Sequence, residues 1–362
     1  MRFILAAFAI SFATFSTTKP TQADDVWQSF ETGTKASLRG LAAVNREVVW
    51  ACGSKSTLVQ TVDGGKSWKQ HSIPNLPEIE IRSIHAWDAD QAIVATAGQP
   101  ALILKTVDRG VTWKTTYENK SPEAFIDGMK FSNDRTGIAF SDPIDGVLLI
   151  LKTEDAGDSW KAIDPSVIPK IETGEAGFAA SNSSLHVFGK ELAWIGLGGG
   201  SAGPSRIFRT QNGGAKWTSH TVPSIARSKS SGNFSVAFEN DKKGVAVGGD
   251  YERSTVDTQN IALTNDGGLS WQPNTGKRPR GFRSCVVAIP ANKAQGLPSC
   301  WLTCGPNGCE LSLSGEDWQT LSNVGFHVAS VASDGSIVAC GSEGRIARLT
   351  DKGRQIVRLD NR

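Results

Sequence analysis

The chain has 362 residues, 39% of them hydrophobic and 20% charged, with 38 Gly, 15 Pro and 11 Trp. That is enough for one large domain or two ordinary ones with a substantial core. Lys and Arg total 38 against 36 Asp and Glu, and without Arg2 and Lys19 of the leader described next the two signs balance at 36 each. A balanced charge excludes a nucleic-acid binder held by a general basic field. Two Met, two Tyr and abundant Gly and Trp point to repeated β-turns rather than to helices.

Residues 1–23 read as a secretory signal peptide. Met1-Arg2 precedes an apolar run from Phe3 to Phe15, and Thr21-Gln22-Ala23 offers small residues at both positions that a signal peptidase reads. The run of about a dozen residues is short of the roughly 20 that a spanning helix needs. No later segment is long and apolar enough to span, so the expected mature chain, residues 24–362, is periplasmic or secreted without a membrane span.

Along that chain a unit of about 48 residues returns seven times. Each unit opens on a strand: residues 38–44, 81–87, 126–131, 183–188, 234–238, 282–289 and 326–331. A second strand follows, often ending at Gly, as in Val48-Val-Trp-Ala-Cys-Gly53 and Gly244-Val-Ala-Val-Gly248. A third, such as Leu58-Val-Gln or Leu102-Ile-Leu, leads into an octapeptide. Thr61-Val-Asp63-Gly-Gly65-Lys-Ser67-Trp68 recurs around Asp108 and Trp113, Asp155 and Trp160, Asn212 and Trp217, and Asp266 and Trp271. A worn sixth copy, one residue short, ends at Trp318. The spacing Ser/Thr-x-Asp-x-Gly-x-Ser/Thr-Trp is the Asp-box of the BNR repeat. Its Asp suits a turn, where the carboxylate accepts hydrogen bonds from its own backbone, and the Gly supplies a positive φ. These Asp are therefore read as structural. A period of this length with several short strands predicts an all-β, seven-bladed β-propeller of four-stranded antiparallel blades in one domain. The seventh blade needs an outer strand from a terminus, either Trp27-Gln-Ser-Phe30 or Ile356-Val-Arg-Leu359, the latter after an eroded box at Asp351-Lys-Gly353.

Longer stretches carry a more specific likeness. Glu175-Ala-Gly-Phe-Ala-Ala-Ser-Asn-Ser-Ser-Leu185, Gly244-Val-Ala-Val-Gly-Gly-Asp-Tyr251, Gly281-Phe-Arg-Ser284 and Gly325-Phe-His327 resemble exported bacterial proteins of the photosystem II stability/assembly factor family. The resemblance implies a seven-bladed propeller outside the cytoplasm that binds an exported or membrane-embedded protein partner. It does not imply a photosystem.

Loops joining second to third strands share one face with the inter-blade loops, and there lie the irregular insertions 141–146, 198–204 and 249–254. Near the start of each first strand stand Arg39, Arg82, Asp127, Asn182, Ser235, Arg283 and His327. Arg39, Arg82, Arg283, His327, Asp250 and Tyr251 are the expected partner-binding face, with the rival that the channel residues are merely solvated and paired. A sialidase-like glycoside hydrolase is the alternative, since Arg39, Arg82 and Arg283 with Tyr251, Glu252 and Asp250 supply its residue types. The Arg-Ile-Pro motif of sialidases is absent from the start of the mature chain, so no catalytic residue is assigned. The five His are dispersed and Cys300, Cys304 and Cys309 match no common zinc spacing, so no metal or cofactor is expected. In an exported chain disulfides are the better reading. Cys304 and Cys309 flank a four-residue turn and form the favoured pair, with Cys285 a competing partner for Cys304.

Overall fold

The computed structural model describes residues 25–292 and 296–359, with side chains up to residue 355; the expected leader lies outside them. Seven antiparallel sheets form the blades of a closed ring. The innermost strands, Leu38–Ala43, Glu80–Ala86, Ile126–Phe131, Leu185–Phe188, Ser231–Phe238, Cys285–Ile289 and Val328–Val331, each touch the next around the axis, and the last touches the first. Among the described residues, the elements other than strands are one 3-10 turn at Pro165–Val167 and a helix, Asp351–Leu359. The core is divided into clusters between neighbouring blades, built from the alternating apolar residues of the second and third strands.

The octapeptides form the turns between third and outer strands, and their chemistry repeats. In the first copy Thr61 Oγ1 donates to Asp63 Oδ1 at 2.8 Å and accepts from Gly65 N at 2.9 Å. Asp63 Oδ1 in turn accepts from Ser67 N at 2.9 Å. The copies at Asp108, Asp155 and Asp266 keep all these bonds, and so does the Asn212 copy, where Thr210 Oγ1 donates to Asn212 Oδ1 at 3.0 Å and Lys216 N donates to the same oxygen at 2.9 Å. Each turn lies against the preceding blade: Gly157, at φ 81, leaves room for Ile93 of blade two, whose Cδ1 would stand 2.5 Å from an added Cβ. Of the box tryptophans, Trp160, Trp217 and Trp271 are buried, while Trp68 and Trp113 are half-buried.

The N-terminus closes the ring. Trp27–Phe30 pairs antiparallel with Ile346–Leu349, Trp27 opposite Leu349. The rival C-terminal segment is helix instead of strand, yet the eroded box is half real. Gly353 N donates to Thr350 Oγ1 at 3.2 Å, and that hydroxyl reaches Asp25 O at 2.8 Å, so the seventh turn is assembled from both chain ends. A full box there would pack on blade six; in its place lies an apolar cavity of about 360 Å³ lined by Ile289, Leu311, Ile337 and Leu349.

One expected loop is mostly strand. Residues 137–144 and 147–153 run on through the supposed insertion 141–146 and turn only at Asp145 and Gly146, both at positive φ (53° and 79°).

Candidate functional site

The inner strands carry side chains into the ring by a shared device. Pairing with the second strand skips a residue in blades one, two, three and five, leaving Arg39, Arg82, Asp127 and Phe234 as the unpaired extra residue of a β-bulge. A bulge bends the strand and re-aims that side chain. In blade five the bulged residue is therefore Phe234 rather than the expected Ser235. Arg283 and His327 stand just before their strands, at the same end of the ring.

The channel expected along the axis is filled at this end by the segment that precedes blade four. Its arm, Glu175–Ala176, pairs with Gly198–Gly199, which joins the inner edge of blade five. A buried ion pair holds it, Arg206 Nε to Glu175 Oε1 at 2.9 Å. Residues 178–184 then cross the ring. Arg39 Nη1 donates to Ala180 O and Arg82 Nη1 to Ala179 O, both at 3.2 Å. Ser181 Oγ donates to Ser284 O at 2.6 Å. Asn182, at φ 53, donates to Ile84 O at 3.3 Å and accepts from Met129 N at 2.9 Å. One segment thus ties blades one, two, three and six.

Above this plug opens a cavity of about 450 Å³. Arg39, Arg82 and His327 form one side, Phe178, Phe234, Phe282 and Tyr251 the other, with Ala179 and Ala180 as floor and Pro306 at the rim. Phe178 and Phe234 stack at 3.9 Å, Phe282 meets Phe234 edge-on at 4.6 Å, and Tyr251 leans on all three while remaining 47% exposed. Arg82 is paired with Glu80 at 2.8 Å. Arg39 has no carboxylate partner among the described residues, and burial followed by the charge of Arg82 lowers its affinity for its proton.

Four expected binding residues thus converge: Arg39, Arg82, His327 and Tyr251. Two do not. Arg283 is fully buried and bonded to Glu310 Oε1 at 2.6 Å, with Arg280 on the same oxygen at 3.0 Å; the structure moves it from the binding face to the interior. Asp250 is also largely buried, its carboxylate taken by Arg253 Nε at 2.8 Å and Glu252 N at 3.0 Å. Nor is His327 a cation. Burial first, then Arg39, Arg345 and Arg82, drive its pKa down to about 3, and its Nε2 lies 3.2 Å from Ser37 Oγ and 3.0 Å from Ser342 Oγ. The three arginines required by a sialidase-like site are therefore not brought together.

Beside the arm lies a pair that the sequence reading left as ordinary charges. Asp127 is fully buried beside Asp142, and the backbone of Gly177, next to the arm, holds Asp142 against a still larger rise. Burial, reinforced by Asp142, pushes Asp127 well above the usual carboxylate range, and burial raises Asp142 to about 6. Two buried carboxyls side by side disfavour a second negative charge, so the pair resists full ionisation. A Cβ on Gly177 would stand 2.8 Å from the Asp127 carboxyl carbon, which explains the glycine. The plug and the aromatic wall were also missed. The available signal was the run of small residues around Phe178, whose short side chains allow a backbone to cross a crowded axis.

Among the described residues no group of three or more His, Cys, Asp or Glu is placed to hold a metal, and no helix is long and apolar enough to cross a membrane. All six cysteines are unbridged, five of them buried.

Fold and repeat define the class, a seven-bladed propeller of BNR type. Residues 19–187 match the family described as photosynthesis system II assembly factor YCF48, and the chain is a BNR propeller resembling that factor. Among solved structures, YCF48 bound to a D1 peptide is 18% identical, with a TM-score of 0.62 over 92% of this chain and 99% of its own. YCF48 from Cyanidioschyzon merolae is 15% identical, with a TM-score of 0.60 over 91% and 100%. The GH74 xyloglucanase from Xanthomonas campestris is 13% identical, with a TM-score of 0.53 over 89% of this chain and 53% of its own. At such identities the likeness speaks to fold. A search of curated sequences finds no match.

Proposed function

We propose that the protein is a non-catalytic binding or assembly factor that receives a segment of a protein partner in the cavity between Arg39 and the aromatic wall. The observation that carries this reading is Arg39, a half-buried guanidinium that makes no ion pair, since nearby Glu80 is bonded to Arg82. A charge held away from water favours an anionic partner, and a planar guanidinium accepts a carboxylate in two parallel hydrogen bonds. The stacked and edge-on rings of Phe178, Phe234, Phe282 and Tyr251 would take an apolar side chain, and exposed Tyr251 suits a binding hot spot. The expected ligand is an acidic side chain or a free carboxylate next to an aliphatic or aromatic residue. That a structural relative holds a D1 peptide supports a peptide ligand. The leader supports an exported setting, so the partner would be an exported or membrane-embedded protein; N-terminal sequencing of the protein from its host, starting after Ala23, tests that part.

Fluorescence anisotropy with labelled synthetic peptides tests the binding. The set comprises the D1 peptide and short acidic peptides with Leu or Phe beside the acid, each with its Gln or amide counterpart. Acidic peptides should bind, their neutral counterparts about tenfold more weakly, and Arg39→Ala should remove the difference without lowering the melting temperature; tenfold corresponds to roughly 1.4 kcal/mol. Equal binding of acidic and neutral peptides sinks the reading. So does turnover of a fluorogenic sialoside or other glycoside that vanishes in Tyr251→Phe, which would favour a hydrolase.

A further inference from the structure

Blade six places two thiols in contact directly beneath one wall of the cavity. Cys304 in Cys300–Gly305 pairs with Cys309 in Gly308–Ser312, and Gly305 with Gly308, so only Pro306 and Asn307 form the turn. The carbonyl of Cys304 accepts from Ser284 N at 3.0 Å. Its backbone polar groups therefore face the inner strand and not Cys309. That makes Cys304 and Cys309 a non-hydrogen-bonded pair, the arrangement in which opposite Cα atoms approach to about 4.5 Å and side chains are closest. Their sulfurs are 3.2 Å apart. Cys285 also lies opposite Cys304, but its sulfur is turned to blade seven, accepting from Ala329 N at 3.4 Å and donating to Ala329 O at 3.8 Å.

The hairpin above the pair belongs to the cavity. Pro306 lines it, Asn307 Nδ2 donates to Ser254 O at 2.6 Å in blade five, and Gly305 O accepts from Phe326 N at 3.2 Å at the start of blade seven. A cross-link at the base of this hairpin would set the position of that wall.

We propose that Cys304 and Cys309 are joined by a disulfide made during folding, and that this bond holds the Pro306 wall in its ligand-receiving position. The second half rests on the reading of the cavity as a peptide site; the first does not. One S–S bond forms as two S–H bonds break. The two electrons and two protons pass to the disulfide of an oxidant such as oxidised glutathione, which leaves as two thiols. In the closed ring both sulfurs are fully buried, and hydrogen bonding to Cys309 together with burial keeps Cys304 protonated, so thiolate attack belongs to the stage before blade six packs. Once formed, the bond is shielded by the same burial.

The test uses the chain without residues 1–23, refolded with oxidised and reduced glutathione. Free thiols are alkylated under denaturing conditions with light reagent, the protein is reduced, and released thiols are alkylated with heavy reagent before tandem mass spectrometry. Heavy label on Cys304 and Cys309 and light label on the other four is the expected map. Light label on both, or heavy label on Cys285 and Cys304, overturns the bond. Protein refolded fully reduced, and separately Cys309→Ser, should melt roughly 3 °C lower than the oxidised form and bind the best acidic peptide about threefold more weakly. An intact bond with equal peptide affinity in all three forms overturns the role in the wall. An intact bond with no peptide binding by any form leaves the disulfide standing and removes the cavity reading.

Discussion

Arg39 and Arg283 occupy corresponding places at the head of an inner strand and meet opposite fates. Arg39 sits in a bulge and lines the cavity, donating to the backbone carbonyl of Ala180. Arg283 precedes its strand and is sealed against Glu310, itself buried. Sequence alone treats the two as equivalent cations of one binding face. The structure divides them. Arg283→Ala would strand the Glu310 carboxylate, which retains only half-exposed Arg280, and breaking such a buried pair costs about 3–5 kcal/mol. Urea denaturation should show a loss of that order for Arg283→Ala and almost none for Arg39→Ala; equal stability of the two variants would refute the distinction. Among the box residues, Trp271 is buried against Phe238, with ring centroids 6.0 Å apart. Trp271→Ala should cost about 3–5 kcal/mol by the same measurement, whereas half-buried Trp113 should cost clearly less.

The plug and the inner-strand bulges act as one element, and its stability responds to pH in a direction that can be worked out. Asp127 and Asp142 have folded pKa values above their unfolded value near ~4. The folded state therefore binds more protons than the unfolded one, and the stabilisation is complete below about pH 4 and lost as pH rises through about 6 and beyond. All five histidines act in the opposite sense, three of them strongly. Burial lowers His85 to about 4 and His186 and His327 to about 3, so their contribution is present above about pH 6.5 and is lost as pH falls toward those values. The two sets overlap, and the raw profile cannot separate them. The difference between variants can. Asp127→Asn keeps a donor toward Asp142 and removes one titration, so its stability relative to the parent should rise steadily between pH 4.5 and 7.5. A difference that does not change with pH would show that the pair does not resist full ionisation. The Asp-box carboxylates lie outside this window. Asp108, held by Thr112, is at about 2, and the loss of such groups belongs to acid below pH 4.

Ring closure governs the whole molecule. A propeller opened at one blade exposes a strand edge, and unpaired N–H and C=O groups along it invite association. Here the edge is Ile346–Leu349, covered by Trp27–Phe30, and Trp27 also packs on Phe326 with ring centroids 4.9 Å apart. Removing residues 25–30 should uncover both. The truncated protein should melt without cooperativity at a lower temperature and scatter light at concentrations where the parent is clear. A truncated form that stays monomeric with an unchanged melting curve would show that the N-terminal strand is not the closure. The same reasoning places the C-terminal helix outside the ring, because the strand position it might have taken is already filled.

What the sequence by itself determined is everything whose cause lies within a few neighbouring residues. Asp-box bonds span four positions or fewer, so each octapeptide declares its own turn, and seven repeated strand triplets count the blades. Apolar alternation then assigns the layers. The nearness of Cys304 to Cys309 is legible for the same reason, since they flank a short turn, although only the structure set it against the rival Cys285. Only the tertiary structure decided which polar residues face one another across the axis. Arg39, Ala180, Phe234 and Pro306 come from four different blades or connections, and no local pattern relates them. A bulge shifts the register by one residue and turns a side chain from the sheet toward the ring. The insertion before blade four becomes a plug only because blades one, two, three and six offer it guanidinium groups, carbonyls and an amide. Neutral His327, buried Arg283 and the resistance of Asp127 and Asp142 to full ionisation follow from the same cause: ionisation depends on the dielectric and charges around a group, and the closed ring sets both.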